Sequence, residues 1–327
     1  MARSRRRAPA WTFVLVVLGL VLYATFADQL RPALDLGRDL PPAADDEALR
    51  VASWNLRRLG DPEARHDLER LGAELDELDV SLFALQEIHD AAPLAKLRPE
   101  WRHVLSEGGG RGHQRLAFWW DPARVEAEGE PVEYAELSMG GSVRPALAQH
   151  FVDRASGRRF WAVTVHLKAM PEGADLRREQ WDLLATRLEG LRRESAEEPL
   201  LLLGDFNVTG AEGSPKGDPP DADHSPEARE LAALEQRFGA IGLDRVVNAA
   251  GCSAYWDGEK RDATKVPSEL DLIWVSGALG ATDAWPGMHC ARHSCQNLRS
   301  TSAYPDLDYL VVSDHCPVVT DLQLQLK

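Results

Sequence analysis

The chain has 327 residues, of which 44% are hydrophobic and 27% are charged, and its formal net charge is -15. This composition is typical of a globular protein, and the acidic balance excludes any general attraction to nucleic acid or anionic membranes. Four arginines lie among the first seven residues, so the remainder has 33 basic and 52 acidic residues. A polyanionic substrate therefore needs local cations or a metal ion to bind.

The N-terminus combines a basic stretch, residues 1–10, with an apolar one. Residues 11–27 (WTFVLVVLGLVLYATFA) are uncharged and almost wholly apolar. This length is at the low end for a membrane-spanning helix and above that of a signal-peptide core. Basic residues before the segment and acids after it predict a cytoplasmic N-terminus and an exported remainder. We therefore expect a membrane anchor, with a cleaved signal peptide and a secreted protein as the open alternative.

Residues 28–48 are rich in Pro, Asp and Ala and predict a linker, whereas residues 49–327 have the pattern of one folded domain. Strands are predicted at 49–55, 80–87, 115–121, 146–152, 160–167, 200–203, 269–276 and 316–324. Helices are predicted from Asp61-Pro62 onward, at 174–194 and at 226–238, and loops at 108–112, 209–224 and 277–312. Many strands with few intervening helices predict an α+β sandwich and not a βαβ repeat.

The run of four leucines at 200–203 predicts a strand that is buried on both faces. Gly204, Asp205, Phe206 and Asn207 follow it, and strand alternation places Asp205 and Asn207 on the same side. A rigid strand that ends in a carboxylate and an amide is a suitable platform for chemistry on a charged ester. A polar turn that only caps the strand is the structural alternative.

Polar side chains recur at the ends of the predicted strands, where unpaired polar groups are costly to bury. The set comprises Asn55, Gln86-Glu87, His166, Asp205, Asn207, Asp271 and Ser313-Asp314-His315. A common site for a divalent cation and a phosphate explains all of them, because hard cations such as Mg²⁺ take oxygen ligands.

The motifs WN, QE, a strand histidine, GDFN, LDLIWVS and SDH occur in this order between Leu49 and Leu324. In this the chain resembles the endonuclease/exonuclease/phosphatase superfamily, which includes deoxyribonuclease I, abasic-site endonucleases, neutral sphingomyelinases and inositol polyphosphate phosphatases. The resemblance implies a deoxyribonuclease I-like fold: a four-layer α/β/β/α sandwich of two packed mixed β-sheets flanked by helices, with the site at one edge.

The resemblance also implies roles for the acidic and amide residues. Glu87 is expected to be the principal ligand of a Mg²⁺ or Mn²⁺ ion, with support from Asn55 and Asp314. Asp205 and Asn207 are expected to position the attacking water and a phosphate oxygen.

The histidines and basic residues complete the implied site. His315 is expected to pair with Asp271, which fixes its tautomer and stabilises the imidazolium. His166 is expected to stabilise charge on the phosphorus centre or to assist the leaving group, and Arg144 to contact phosphate. Lys168 is a further phosphate candidate, although a solvated strand-end lysine is equally compatible with its position. Asp205 and the His315–Asp271 pair both remain open as the general base.

The four cysteines permit disulfides if the domain is exported. We expect one bridge among Cys252, Cys290 and Cys295, and a free thiol at Cys316 that faces the core. The string from His289 to Cys295 fits common zinc spacings poorly, so a soft-metal site is less favoured.

Together these features predict an enzyme: a monomeric, Mg²⁺- or Mn²⁺-dependent hydrolase of phosphodiester bonds that acts outside the cytoplasm. Nucleic acid, DNA above all, is the leading substrate. One alternative is a lipid or small-molecule phosphoesterase, sphingomyelinase-like or inositol-phosphatase-like. Another is a catalytically silent binding module with the same fold.

Overall fold

The computed structural model describes residues 47–196, 198–210, 225–256, 263–277 and 279–324. The predicted basic stretch, apolar segment and most of the linker lie outside the described residues, as does most of the predicted loop at 209–224. Within the described part of the chain, no helix is long and apolar enough to span a membrane. The membrane anchor therefore stays a prediction.

The described elements are strands and helices that alternate irregularly along the chain. The strands are β1 (Leu49–Leu59), β2 (Leu82–Ile88), β3 (Arg102–Leu105), β4 (Arg115–Trp120), β5 (Val125–Tyr134), β6 (Ala146–Asp153), β7 (Arg159–His166), β8 (Leu200–Asp205), β9 (Leu243–Arg245), β10 (Ala254–Trp256), β11 (Thr264–Ser268), β12 (Asp271–Ser276), β13 (Gly280–Ala281), β14 (Trp285–Pro286), β15 (Leu298–Arg299) and β16 (Val318–Gln323). The α-helices are α1 (Leu68–Leu78), α2 (Ala92–Leu97), α3 (Ala174–Glu194), α4 (Pro226–Gly239), α5 (Met288–Arg292) and α6 (Leu307–Val311).

The strands form two large mixed sheets and one small one. The first sheet has the order β13-β16-β1-β2-β4-β3, with β14 also paired to β16, and the second has the order β5-β6-β7-β8-β12-β9. Within them β1 is parallel to β2 and β7 is parallel to β8. The small sheet, β10-β11-β15, contacts the segment that precedes β16 through a bridge between Ala254 and His315.

Three hydrophobic clusters define four layers. The inner cluster lies between the two sheets and includes Val51 and Phe118 from the first sheet and Phe151 from the second. One outer cluster packs α1, α2 and α5 on the first sheet, and the other packs α3 and α4 on the second. The structure thus confirms the predicted α/β/β/α sandwich.

The leucine run forms β8 and is buried on both faces, as the sequence predicts. Leu201 and Leu203 belong to the inner cluster, whereas Leu200 and Leu202 face the helices. Phe206 packs in the outer cluster with them. Because strand side chains alternate, this register leaves Asp205 on the side that meets the other sheet.

The first helix begins later than predicted, at Leu68 and not at Asp61. The Asp61 carboxylate instead accepts a hydrogen bond from Glu63 N (2.9 Å), which closes a turn. The N-cap is Asp67, whose side chain accepts from Arg70 N (3.0 Å). A side chain that caps a turn is chemically the same signal as one that caps a helix, which explains the error.

The prediction that residues 277–312 form an extended loop is wrong. This segment contains three two-residue strands and the five-residue helices α5 and α6. Elements this short cannot display a hydrophobic period, so they leave no pattern in the sequence.

The cysteine prediction is partly wrong. Cys252 pairs with Cys295, a bridge within the predicted set, but Cys316 is not a free thiol because it pairs with Cys290. The His289 ring lies beside the second bridge. Thiolates and not disulfide sulfurs bind soft metals, so this string is not a metal site in the oxidised protein.

Candidate active site

Three predicted site residues lie in one row across neighbouring strands of the second sheet. His166 at the end of β7 pairs in register with Asp205 at the end of β8, and Asp205 pairs with Asp271 at the start of β12. Gly204 permits the close approach of β7 and β8: its φ is +153° and an added Cβ would lie 2.2 Å from the Val165 carbonyl oxygen. The glycine of the GDFN motif is therefore a packing requirement.

His315 and Asp271 form the pair that the sequence predicts. His315 Nδ1 donates to Asp271 Oδ2 at 2.7 Å, and its Nε2 lies 3.8 Å from Asp205 Oδ2. Burial alone lowers the pKa of His315, but the carboxylates of Asp271 and Asp205 outweigh it and raise that pKa to about 10. His315 is therefore an imidazolium at neutral pH.

Asp205 lies at the centre of the site and is almost fully buried. Its Oδ2 accepts from Asn55 Nδ2 (3.0 Å) and lies 3.3 Å from His166 Nε2, while its Oδ1 accepts from Asn207 N (3.0 Å). Burial raises the pKa of Asp205 to about 7, partly offset by the charge of His315. A carboxylate with such a pKa is basic enough to take a proton from water near neutral pH.

Asn55 and Glu87 come from the first sheet and meet Asp205 across the sandwich. Asn55 Nδ2 donates to Glu87 Oε1 at 3.3 Å, and Asn55 Oδ1 accepts from Arg57 N at 2.9 Å. The β1–β2 register shifts between Asn55 and Leu59, and Glu87 has a left-handed φ of 61°. Such irregularities re-aim side chains and are common next to active sites.

His166 and Arg144 lie beside the same carboxylates. Burial, followed by the charges of Arg144 and His315, lowers the pKa of His166 well below its ordinary value, so this ring is neutral. Arg144 Nη2 donates to Leu167 O at 3.3 Å, and burial lowers the pKa of its guanidinium. Three buried polar atoms of the site have no protein hydrogen-bond partner in the described part of the chain: Arg144 Nε, His166 Nδ1 and Asp271 Oδ1.

Asn207, Lys168 and Asp314 are the remaining predicted residues. Asn207 Nδ2 donates to Leu167 O at 3.3 Å. Lys168 Nζ donates to the neighbouring Ala169 O at 3.0 Å, and Asp314 Oδ2 lies 3.8 Å from Arg57 Nε. Their assigned contacts with phosphate or metal stay predictions.

The sequence analysis missed several residues that hold this site in place. Ser253 Oγ accepts from Asp271 N (2.8 Å). Thr164 Oγ1 accepts from Nε2 of Gln86, a residue of the predicted polar set, at 3.2 Å and so links the two sheets. Arg177, buried in α3, contacts the loop that follows His166. Serine, threonine and arginine at these positions have no distinguishing local pattern, because their partners are distant in the chain.

The donor set fits a hard divalent cation. Glu87 Oε1 lies 3.3 Å from the Asn55 amide nitrogen, and carboxylate and amide oxygens are ligands that suit Mg²⁺ or Mn²⁺. A second group, formed by Asp205, Asp271 and His315, is also compact, and in it His315 Nδ1 is paired with Asp271 Oδ2. Asn55 turns its nitrogen to the acids here, so it must rotate its amide to serve as a ligand.

Two packed mixed sheets that converge at one edge on acids, amides and a charged histidine define a phosphoesterase of the deoxyribonuclease I-like fold. The model of the Endonuclease/Exonuclease/phosphatase family matches residues 52–315. The chain belongs to this family, a class of phosphoester hydrolases, and the resemblance noted in the sequence is confirmed.

Comparisons with individual proteins agree with this assignment. A "Deoxyribonuclease" of Thioalkalivibrio sp. (strain K90mix) is 30% identical over 187 residues, which cover 52% of this chain and 49% of that protein. The match thus spans about half the length of this curated relative.

Solved structures show the same fold at low sequence identity. An endonuclease/exonuclease/phosphatase from Bacteroides vulgatus has a TM-score of 0.56 and 17% identity, and the match covers 85% of this chain and 99% of the Bacteroides chain. D. rerio TDP2 complexed with a single-strand DNA product has a TM-score of 0.57 and 15% identity, with 85% and 100% coverage. The human Nocturnin catalytic domain with bound sulfate has a TM-score of 0.55 and 19% identity, with 88% and 97% coverage.

Proposed function

We propose that this protein hydrolyses phosphodiester bonds of nucleic acid, DNA above all, with a divalent cation and outside the cytoplasm. The observation that carries the proposal is the row of His166, Asp205 and Asp271 completed by His315 and faced by Glu87. The deoxyribonuclease relative supports DNA as the substrate, and the apolar segment at 11–27 supports export.

Asp205 is the general base in this proposal. Its pKa of about 7 permits it to accept a proton from an attacking water, whereas His315, with a pKa of about 10, already carries a proton at neutral pH. His315 therefore stabilises the negative charge that builds on the phosphorus centre, and Asp271 holds it in place.

Arg144 and the cation would neutralise the negative charge of the phosphate. Arg144 is half-buried, and its buried Nε has no protein partner in the described part of the chain, so it suits a phosphate oxygen. Glu87, with Asn55 and Asp314, would hold Mg²⁺ or Mn²⁺. When bound, this cation neutralises phosphate charge as a Lewis acid.

The test compares the purified full chain with its His315→Asn and Asp205→Asn variants. The substrates are plasmid DNA, RNA, sphingomyelin and an inositol polyphosphate, each with Mg²⁺ and with EDTA. We expect DNA cleavage that EDTA abolishes and Mg²⁺ restores, and a loss of about a hundredfold or more in each variant.

His150→Asn is the matched control. This histidine also contacts a carboxylate, Glu198, at 3.0 Å, but it lies opposite Trp161, at the other end of β7 from His166. Its replacement should leave activity unchanged. Full activity in EDTA would overturn the metal requirement. Hydrolysis of the lipid or inositol substrate, together with no cleavage of DNA or RNA, would overturn the nucleic-acid assignment.

A further inference from the structure

The two disulfides lie directly beside the residues that form the imidazolium–carboxylate pair. Cys316 follows His315 in the chain, and Cys252 precedes Ser253, whose hydroxyl accepts the Asp271 amide hydrogen at 2.8 Å. His315 is therefore one residue from one disulfide, and Asp271 is one hydrogen bond and one residue from the other.

Ser253 connects the two halves. It is fully buried, and its Oγ accepts hydrogen bonds from Leu270 N (2.9 Å) and Asp271 N (2.8 Å). Its carbonyl accepts from Cys316 N at 2.7 Å, and its own amide donates to Ser268 O at 2.8 Å. One serine thus fixes the backbone at the start of β12 and the backbone immediately after His315.

The disulfides anchor this serine and this histidine to the segment that follows β14. Cys252 is bridged to Cys295 with a Cα–Cα distance of 5.8 Å, and Cys316 is bridged to Cys290 in α5 with one of 6.1 Å. Both bridges belong to one buried cluster, which is separate from the three clusters of the main sandwich. The bridges therefore hold a segment, residues 287–297, of which only Met288 belongs to a main cluster.

We propose that Ser253 and the two disulfides position the His315–Asp271 pair, so that the enzyme is fully active only when both bridges are oxidised. The activity readout of this inference rests on the proposed function. Disulfides persist outside the cytoplasm and are reduced within it. A nuclease built in this way gains full activity after export, where the nucleic acid of its own cell is out of reach.

A dithiol such as dithiothreitol reduces each bridge in a two-electron reaction. The dithiol supplies two electrons and two protons to each bridge, the Sγ–Sγ bond breaks into two thiols, and the dithiol itself becomes a cyclic disulfide. Reoxidation reverses the step.

The first experiment titrates the full chain with dithiothreitol in constant Mg²⁺. Thiols are alkylated and counted by mass spectrometry, and plasmid cleavage is measured in parallel. We expect kcat to fall about tenfold or more as the bridges open, with a smaller change in KM and recovery on reoxidation, because small displacements of catalytic groups have large effects on rate. Unchanged kcat with all four cysteines alkylated would overturn the proposal.

A second experiment leaves both disulfides intact. Ser253→Ala removes the hydroxyl that holds Asp271, and Ser276→Ala is its matched control. Ser276, at the opposite end of β12, is also buried and also accepts a backbone hydrogen bond, from Leu200 N at 3.0 Å. We expect kcat to fall about tenfold in Ser253→Ala only; equal effects of the two substitutions would show a purely structural role and would overturn the proposal.

Hydrogen exchange supplies a readout that needs no substrate. Ser253→Ala or reduction should accelerate amide exchange in residues 269–276 and 313–317, with little change in β7. If no phosphodiester is cleaved at all, the proposed function fails while this measurement still tests the positioning role. If DNA is cleaved but exchange and kcat are both insensitive to reduction, only the positioning role fails.

Discussion

Asp205 and His315 have opposite charges between about pH 7 and about pH 10, although they lie in the same site. Burial raises the pKa of Asp205 to about 7, whereas the carboxylates around His315, against the effect of its burial, raise its pKa to about 10. Between these values Asp205 is a carboxylate that can accept a proton and His315 is an imidazolium that can stabilise an anion. In the proposed function the two groups therefore divide the base and electrostatic roles between them.

The rate of hydrolysis should follow a bell-shaped pH profile. Activity should rise as Asp205 loses its proton and should fall at alkaline pH as His315 loses its own. A bound cation adds positive charge and so shifts the acidic limb below about 7.

His315→Asn removes a positive charge that lowers the pKa of Asp205, so the acidic limb of the residual activity should move to higher pH. The profile of kcat/KM checks this, and an acidic limb that stays in place would contradict Asp205 as the base.

Residues with chemically distinctive side chains could be assigned from the sequence, whereas their supports could not. The prediction that Asp271 pairs with His315 is confirmed because a carboxylate inside the apolar run LDLIWV needs a partner. Ser253 is different: its role depends on Asp271 and Cys316, which are distant in the chain. Serine residues are common, and only the folded structure shows which backbone groups the hydroxyl of a given serine binds.

At the scale of elements, α3 and α4 hold the two loops that leave the candidate site. Arg177 in α3 is fully buried and forms a double hydrogen bond with Glu230 in α4, both at 2.8 Å. The same guanidinium donates to the carbonyls of Lys168 (2.9 Å), Met170 (2.7 Å) and Gly210 (2.9 Å). One side chain therefore fixes the loop after β7 and the loop after β8.

Arg177→Met should lower the free energy of unfolding by about 3–5 kcal/mol, because it leaves the buried Glu230 carboxylate without its counter-charge. Urea unfolding measures this change. Arg178→Met is the control: Arg178 pairs with Asp175 on the exposed side of the same helix, and an exposed pair contributes about 0–1 kcal/mol. Equal losses in both variants would contradict the role assigned to Arg177.

The elements that could be predicted are those with a clear hydrophobic pattern. The helix at 174–194 is found with the predicted bounds. The leucine strand, predicted at 200–203, is two residues longer and ends at Asp205. β5 escaped prediction because it is a half-exposed edge strand containing Gly129 and Pro131, with a register shift between Glu128 and Val132. Propensity and pattern are weakest in such edge strands.

At the scale of the whole molecule, the formal charge of -15 opposes the approach of a polyanion to the site. Salt screens this repulsion, since the Debye length falls to about 10 Å at 0.1 M. We expect kcat/KM for plasmid DNA to rise between about 0.01 and 0.1 M NaCl, and kcat/KM for the singly charged bis(p-nitrophenyl) phosphate to change little. A steep fall for plasmid over the same range would show that local cations such as Arg144 dominate binding.

The first sheet joins the two ends of the described chain, because β16 pairs with β1 and His315 lies just before β16. The order of synthesis on the ribosome therefore matters. A nascent chain that already contains Asp205 and Glu87 still lacks the imidazolium, and it cannot complete the sheet beneath the site until residues 315–323 have emerged. If the protein is the nuclease proposed above, unfinished translation products should thus be unable to cut the nucleic acid of the cell that makes them.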